Sequence, residues 1–304
     1  MKPVNMTCQP ECSEGIKAQV ISERAVAHFI SVLPVVWPWF ILIAAQICAV
    51  SGKWSLGFVL LTCFGLIALT LGLVTPFAAA IASAGLTGAL MLRGLNGAFS
   101  FVGHIALILW CLAMGAHLVP GFHNLLVLDQ AHSGPGSTDF TMYLNLDKPL
   151  ILFAVLLAWP RMNDGVAYIR KSPLAVGLVA LPALFLLGLS VGAIRPEFTL
   201  PHWWMIFALS NLFLTCLTEE AFFRGYLQSA LSKRLGAAAG IAAASLLFGL
   251  AHFAGGPALV FFAALLGAAC GLGYYATGRL WVPVLMHFAF NAAHLVIFTY
   301  PGPA

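Results

Sequence analysis

Three short motifs stand out because they place polar side chains inside long apolar stretches of the chain. In order, the motif residues are Glu219, Glu220 and Arg224, then Phe248 and His252, then His287 and Asn291. Ionisable side chains at membrane depth are costly, and they usually face the interior of a helix bundle or a water-filled cavity. A carboxylate, imidazoles and an amide gathered in one such place suit water activation and oxyanion stabilisation, which peptide hydrolysis requires.

The spacing within the first two motifs favours different roles for their members. Adjacent residues on an α-helix point about 100° apart, so one pocket does not take Glu219 and Glu220 in the same way. Glu220 and Arg224 are spaced i, i+4 with the acid first, which favours an ion pair. We therefore predict that Glu219 does the chemistry and that the Glu220–Arg224 pair is structural. Phe248, one turn before His252, is predicted to pack. The alternative is that both glutamates only hold helices together.

Helix geometry predicts that the motifs meet. Glu219 and His252 lie at nearly equal distances along the chain from Gly236, where we expect a turn. At about 1.5 Å per residue both lie roughly 25 Å from that turn, so an antiparallel helical hairpin brings them level. His287 and Asn291 share one helix face by their i, i+4 spacing, and an asparagine amide can donate a hydrogen bond to an oxyanion.

The composition indicates a membrane protein. Of the 304 residues, 61% are hydrophobic and 8% are charged, whereas a soluble domain has about 25% charged residues. Several apolar runs reach the roughly 20 residues that a membrane-crossing helix needs. We predict an all-α, polytopic transmembrane helical bundle with about eight to ten crossings, which makes the chain a multi-pass integral membrane protein. The net charge of +4 is small and scattered, so we expect no nucleic-acid partner.

The apolar runs also divide the chain. The predicted spans are 29–50, 54–74, 76–92, 98–118, 145–160, 174–193, 203–234, 237–254, 257–277 and 280–300. The predicted units are an N-terminal tail at 1–24, accessory transmembrane helices at 25–195 with a long loop at 120–147, and a catalytic core at 200–300. Loops of this length are functional, as a lid or substrate guide, or they are disordered, and the sequence favours neither. In the tail, we expect Cys8 and Cys12 to be two free thiols, with pairing or metal binding as alternatives.

Taken together, the motifs resemble the CPBP family, which comprises the type II CAAX prenyl endopeptidases and bacterial relatives, including bacteriocin-processing and self-immunity proteins. The family signature reads E-E-x-x-x-R, then F-x-x-x-H, then H-x-x-x-N or H-x-x-x-D. Here the motifs read EEAFFR at 219–224, FGLAH at 248–252 and HFAFN at 287–291. The resemblance covers about residues 200–300 and implies a C-terminal CAAX-protease-like core.

The resemblance also implies an activity and roles for the motif residues. It implies an intramembrane endopeptidase that hydrolyses a peptide bond near the end of a membrane-anchored or lipophilic protein or peptide. Glu219 would activate the water with help from His252, while His287 and Asn291 would stabilise the tetrahedral oxyanion. The bilayer is then the second partner, and we expect the protein in a bacterial inner (plasma) membrane.

The motifs leave metal dependence open, and they are also compatible with two other functional classes. Glu219, His252 and His287 also form the ligand set of a catalytic zinc site, and family members are described both as metalloproteases and as glutamic proteases. We favour the metal-free scheme because asparagine is a poor zinc ligand. The second class is a non-catalytic immunity or scaffold protein of the same fold. The third is a proton-coupled transporter, although the chain shows no internal repeat of the kind that transporters carry.

Overall fold

The computed structural model describes residues 26–304, so the predicted tail at 1–24, with Cys8 and Cys12, lies outside the described residues. The helices are α1 Val26–Val35, α2 Trp37–Val50, α3 Trp54–Thr70, α4 Pro76–Met91, α5 Gly97–Gly115, α6 Leu150–Ala158, α7 Lys171–Ser190, α8 Trp204–Leu235, α9 Ala237–Ala251, α10 Gly256–Thr277 and α11 Trp281–Ile297. Strands β1 Leu125–Ala131 and β2 Phe140–Leu144 form one antiparallel hairpin between α5 and α6. The predicted all-α, polytopic bundle is confirmed.

The number of membrane crossings depends on how the shorter helices are counted. Within residues 26–304, five helical segments are long and apolar enough to cross: Pro76–Gly94, Gly97–Gly115, Lys171–Ser190, Trp204–Leu235 and Phe253–Thr277. Helices α1 and α2, bent by 64° at their junction, make a sixth if they form one broken span. Helices α3, α9 and α11 are apolar but shorter. The predicted eight to ten crossings are reached only if at least two of these three also cross.

The predicted span at 145–160 is replaced by a much shorter helix. Helix α6 has 9 residues, which is about 14 Å of helix and half of the hydrocarbon thickness. Nearly all of its side chains are buried, so it lies inside the protein and has no lipid-facing side. A helix that is apolar all round is expected in such an interior position. Asp147 and Lys148, which interrupt the apolar run, precede this helix.

The long loop at 120–147 is ordered as the β1–β2 hairpin, and its tip is tied to two distant segments. The Glu197 carboxylate, before α8, accepts hydrogen bonds from the Gly136 amide at 2.6 Å and from the Ser137 hydroxyl. Ser137 also pairs as an isolated β-bridge with Pro303, after α11. These contacts hold the hairpin against the segments that flank the predicted core.

Small residues let α10 approach its neighbours closely. A Cβ atom on Gly271 would lie 2.8 Å from Gln228 Oε1 in α8. The Gln228 amide in turn donates a hydrogen bond to the Gly271 carbonyl at 2.9 Å. A Cβ atom on Gly249 in α9 would lie 2.6 Å from the Val260 carbonyl oxygen and 2.8 Å from Ala264 Cβ.

We expect Gly249→Ala to destabilise the protein by about 1–3 kcal/mol, because the added methyl group meets backbone that must move. Thermal unfolding of the purified protein in detergent measures the effect. The matched control is Gly65→Ala in α3, where an added Cβ meets nothing within 4 Å. That control should be neutral or stabilising by about 0.5–1 kcal/mol, since alanine is the better helix former. Equal effects of the two substitutions would contradict the close α9–α10 contact.

Candidate active site

Glu219 lies in the middle of α8, between two π-helical segments, Ser210–Leu217 and Ala221–Gln228. Such i→i+5 segments are rare inside α-helices and occur frequently at functional sites. Side chains bond to some carbonyl groups of the widened turns, and Gln46 of α2 donates to the Phe213 carbonyl at 3.2 Å. The rise per residue therefore varies along α8. The distance of about 25 Å from Glu219 to Gly236, which assumes a constant rise, is approximate for this helix.

Glu219 and His252 line the same cavity, which has a volume of about 430 Å³. Lys148, from the turn between β2 and α6, also lines it, and its Nζ atom lies 2.5 Å from Glu219 Oε1. The remaining wall is mostly apolar and comes from α5, α6, α8 and α9, together with the residues that directly follow α5 and α9. Its apolar residues include Leu112, Leu118, Ile151, Phe222, Phe223, Leu250 and Phe253. The structure thus places the predicted base and its predicted assistant around one largely apolar space.

The orientation of the His252 ring is fixed by its own helix. Its Nδ1 atom donates a hydrogen bond to the Phe248 carbonyl at 2.8 Å, at the end of α9. Because a carbonyl oxygen only accepts, Nδ1 carries the proton and Nε2 is left as the acceptor of the neutral ring. The Phe248 ring packs against His252 with 4.7 Å between ring centroids. His252 can therefore hold a water molecule or a proton at Nε2.

Glu220 lies in a separate buried cluster with Arg224 and His287. Its Oε2 atom lies 3.1 Å from Arg224 Nε, which is the i, i+4 ion pair expected from the spacing, and both side chains are fully buried. Its Oε1 atom accepts a hydrogen bond from His287 Nδ1 at 2.9 Å. The Arg224 guanidinium stacks over the Phe248 ring at 4.4 Å. Each carboxylate of the Glu219–Glu220 pair thus has its own cationic partner.

The structure separates His287 and Asn291 from the cavity wall. His287 is buried against Glu220, and the thiol of Cys216 lies beside it. Asn291 donates to Asn211 Oδ1 at 3.1 Å. Neither residue lines the cavity that Glu219 and His252 share, although His287 is close enough to act electrostatically on Glu219. The oxyanion roles of His287 and Asn291 therefore stay predictions.

The zinc alternative stays a prediction, because the described residues do not bring its three proposed ligands together. Within residues 26–304, no three His, Cys, Asp or Glu side chains come together closely enough to hold a metal ion. Of the proposed ligands, Glu219 pairs with Lys148, whereas the Nδ1 contacts of His287 with Glu220 and of His252 with the Phe248 carbonyl are of a kind that zinc-ligating histidines also make. The set Glu219, His252 and His287 is thus divided between the cavity and the buried cluster.

Two residues of the site were not among the sequence-based candidates. Lys148 contacts Glu219 although the two residues are 71 positions apart in the chain. In the sequence, Lys148 appears only as a charge that interrupts the apolar run at 145–160, and such a charge indicates a broken span and not a site. Asn211, the partner of Asn291, follows Ser210 as a polar residue inside the predicted span at 203–234. It lies about two helical turns before Glu219.

Comparison with known proteins gives one match. The search of curated proteins and the search of solved structures each found none. Residues 201–293 match the family model described as Type II CAAX prenyl endopeptidase Rce1-like, which confirms the CPBP resemblance for the segment that carries all three motifs and supports a CAAX-type intramembrane protease.

Proposed function

We propose that this protein is an intramembrane endopeptidase that hydrolyses a peptide bond near the end of a membrane-anchored or lipophilic protein or peptide. The observation that carries the proposal is the shared cavity of Glu219 and His252, whose remaining wall is largely apolar. A carboxylate and an imidazole facing one such space provide a base and a second proton acceptor. The apolar wall suits a substrate segment that arrives from the bilayer.

The residues around the cavity support a metal-free hydrolysis. Glu219 removes a proton from a water molecule, while His252 orients that water through Nε2. The water oxygen forms a bond to the carbonyl carbon of the scissile peptide, and the carbonyl oxygen becomes an oxyanion. The bond from carbon to the amide nitrogen then breaks, and the proton held by Glu219 passes to the leaving amine. The products are a new carboxyl terminus and a free amine.

In this scheme His287 and Asn291 are the donors that stabilise the oxyanion. Because Glu220 only accepts at Oε1, Nδ1 of His287 carries a proton, and Nε2 donates only when the ring is an imidazolium. The Asn291 amide nitrogen donates to Asn211 Oδ1 at 3.1 Å and to Cys216 Sγ at 3.8 Å, and an oxyanion would replace the weaker of these two acceptors. The role requires the substrate carbonyl to reach the face of α11 that bears both residues. Its support is their helical spacing and the family resemblance.

The substrate class and location follow from the same reasoning. A cavity among membrane-crossing helices admits a segment already anchored in the bilayer, so we propose such a protein or peptide as the partner. The multi-pass chain itself belongs to a membrane, and we propose a bacterial inner (plasma) membrane.

The test is a comparison of protein C-termini in membranes from cells that carry the wild-type protein or Glu219→Gln. Mass spectrometry identifies new C-terminal peptides that are present with the wild-type protein and lost with the variant. We expect a small set of lost ends, which names the substrate and the cleavage position together. Identical profiles from folded and equally abundant proteins would favour the non-catalytic immunity or scaffold class.

A further inference from the structure

We infer that Lys148 is a positioning residue of the proposed hydrolytic site, which holds one oxygen of Glu219 and leaves the other to take the proton from water. This inference rests on the proposed function. It concerns a residue outside the three motifs and outside the segment that matches the family model. Lys148 acts through Glu219 and need not touch the substrate.

The first support is the division of labour between the two carboxylate oxygens. Lys148 Nζ lies 2.5 Å from Glu219 Oε1, and both side chains are largely buried, with 16% and 11% of their surfaces exposed. Glu219 Oε2 is buried and has no hydrogen-bond partner among residues 26–304. Buried carboxylate oxygens almost always accept at least one hydrogen bond. Oε2 is therefore the oxygen suited to accept a hydrogen bond from the attacking water.

The second support is a network that fixes the backbone at Lys148. Asp147 is buried, and its carboxylate accepts from His117 Nδ1 at 2.8 Å and from the backbone amide of Lys148 at 2.9 Å. Asn124 donates to the same carboxylate at 3.3 Å, and its own carbonyl accepts from the Leu146 amide at 2.7 Å. The turn that presents the ammonium is thus held on both sides of Asp147, so the position of Nζ is set by the fold.

The third support is electrostatic. An ionised carboxylate in an apolar space needs a compensating charge, and otherwise it takes up a proton and is no longer a base. The charged and titratable groups around Glu219 are Lys148 before α6, His252 after α9, His287 in α11, and Cys216 and Glu220 in α8 itself. Glu220 already has Arg224, and both histidines have a ring nitrogen committed elsewhere. Among residues 26–304, Lys148 is the basic side chain that forms an ion pair with Glu219, and this pairing favours the ionised carboxylate.

The test compares Lys148→Met with Lys148→Arg in the full-length protein in membranes, using dicyclohexylcarbodiimide as the probe. This reagent adds covalently to protonated carboxyl groups in apolar surroundings, and peptide mapping locates the adduct. At neutral pH we expect no adduct on Glu219 in the wild-type protein or in Lys148→Arg, and a clear adduct in Lys148→Met. Glu219→Gln shows that the adduct is on this side chain. Melting temperatures exclude unfolded variants.

The activity readout uses the cut ends found by the C-terminal comparison. Lys148→Met should lower kcat by about 10²-fold at neutral pH with little change in KM, should regain activity as the pH rises, and should be rescued by Lys148→Arg. A merely structural lysine would change melting temperature without moving the pH profile. Equal labelling of Glu219 in the wild-type protein and Lys148→Met would overturn the inference. Cleavage that survives Glu219→Gln would instead overturn the proposed function, whatever the labelling.

Discussion

Glu219→Gln should lower the rate of peptide hydrolysis by at least about 10²-fold while leaving the protein folded, because a positioned base contributes about 10²–10⁴-fold. Glutamine has nearly the same shape as glutamate, so the cavity keeps its volume, but its amide does not accept the proton from water. The measurement is the rate at which purified protein in detergent releases the peptide end identified from membranes. Melting temperature and yield establish that the variant is folded.

The neighbouring glutamate provides the matched control. Glu220→Gln changes the same atoms one residue further along α8, in the buried cluster with Arg224 and His287. We expect the main effect of this variant to be a loss of stability. Its activity should fall only if the loss of the Glu220 carboxylate displaces His287. If Glu220→Gln lost cleavage and Glu219→Gln retained it with both proteins folded, the assigned roles would be reversed.

The sequence predicted those features that depend on local spacing. The Glu220–Arg224 contact follows from i, i+4 geometry, and the meeting of Glu219 and His252 follows from two apolar helices joined at Gly236. Both arguments need only the pitch of one helix or the antiparallel course of two. The membrane-protein class follows from composition alone, because lipid-embedded segments contain few charged residues.

The features that the sequence did not predict depend on contacts between distant segments. Lys148 reaches Glu219 only because β1 and β2 fold back and place the start of α6 beside α8, and nothing in the spacing of the motifs indicates this. The π-helical segments that flank Glu219 are equally hidden from the sequence, and one of their carbonyl groups, that of Phe213, accepts a hydrogen bond from the distant Gln46. The apolar run at 145–160 looked like a span because periodicity does not distinguish lipid from protein surroundings.

The two carboxylates show how one apolar environment supports two functions. Glu220 has both oxygens engaged, by Arg224 and by His287, inside a fully buried cluster. Glu219 has one oxygen engaged by Lys148 and opens onto a cavity. In the first arrangement each oxygen lies against a basic side chain and neither lines the cavity, whereas in the second Oε2 has no basic side chain beside it among residues 26–304. The difference between a structural and a chemical glutamate therefore lies in the number of partners, although the two residues are adjacent in the chain.

Arg224→Met should destabilise the protein by about 3–5 kcal/mol, because it leaves Glu220 as a buried charge without its cation. The guanidinium is fully buried and stacks on Phe248, so water does not replace it. Unfolding of the purified protein in detergent measures the change in free energy. Arg234→Met, at the exposed end of the same helix, is the control and should change stability by no more than about 0.5 kcal/mol.

A double variant separates the loss of the pair from the loss of packing at Arg224. Replacing both partners, as Glu220→Leu with Arg224→Met, removes the unpaired charge together with the ion pair, and such exchanges are often neutral or stabilising by about 1–4 kcal/mol. We expect the double variant to recover most of the stability that Arg224→Met loses. His287 then lacks the acceptor for Nδ1, so the recovery should be incomplete. A double variant less stable than Arg224→Met would contradict this expectation, and it would show that Glu220 stabilises the protein without its cation, through the contact with His287.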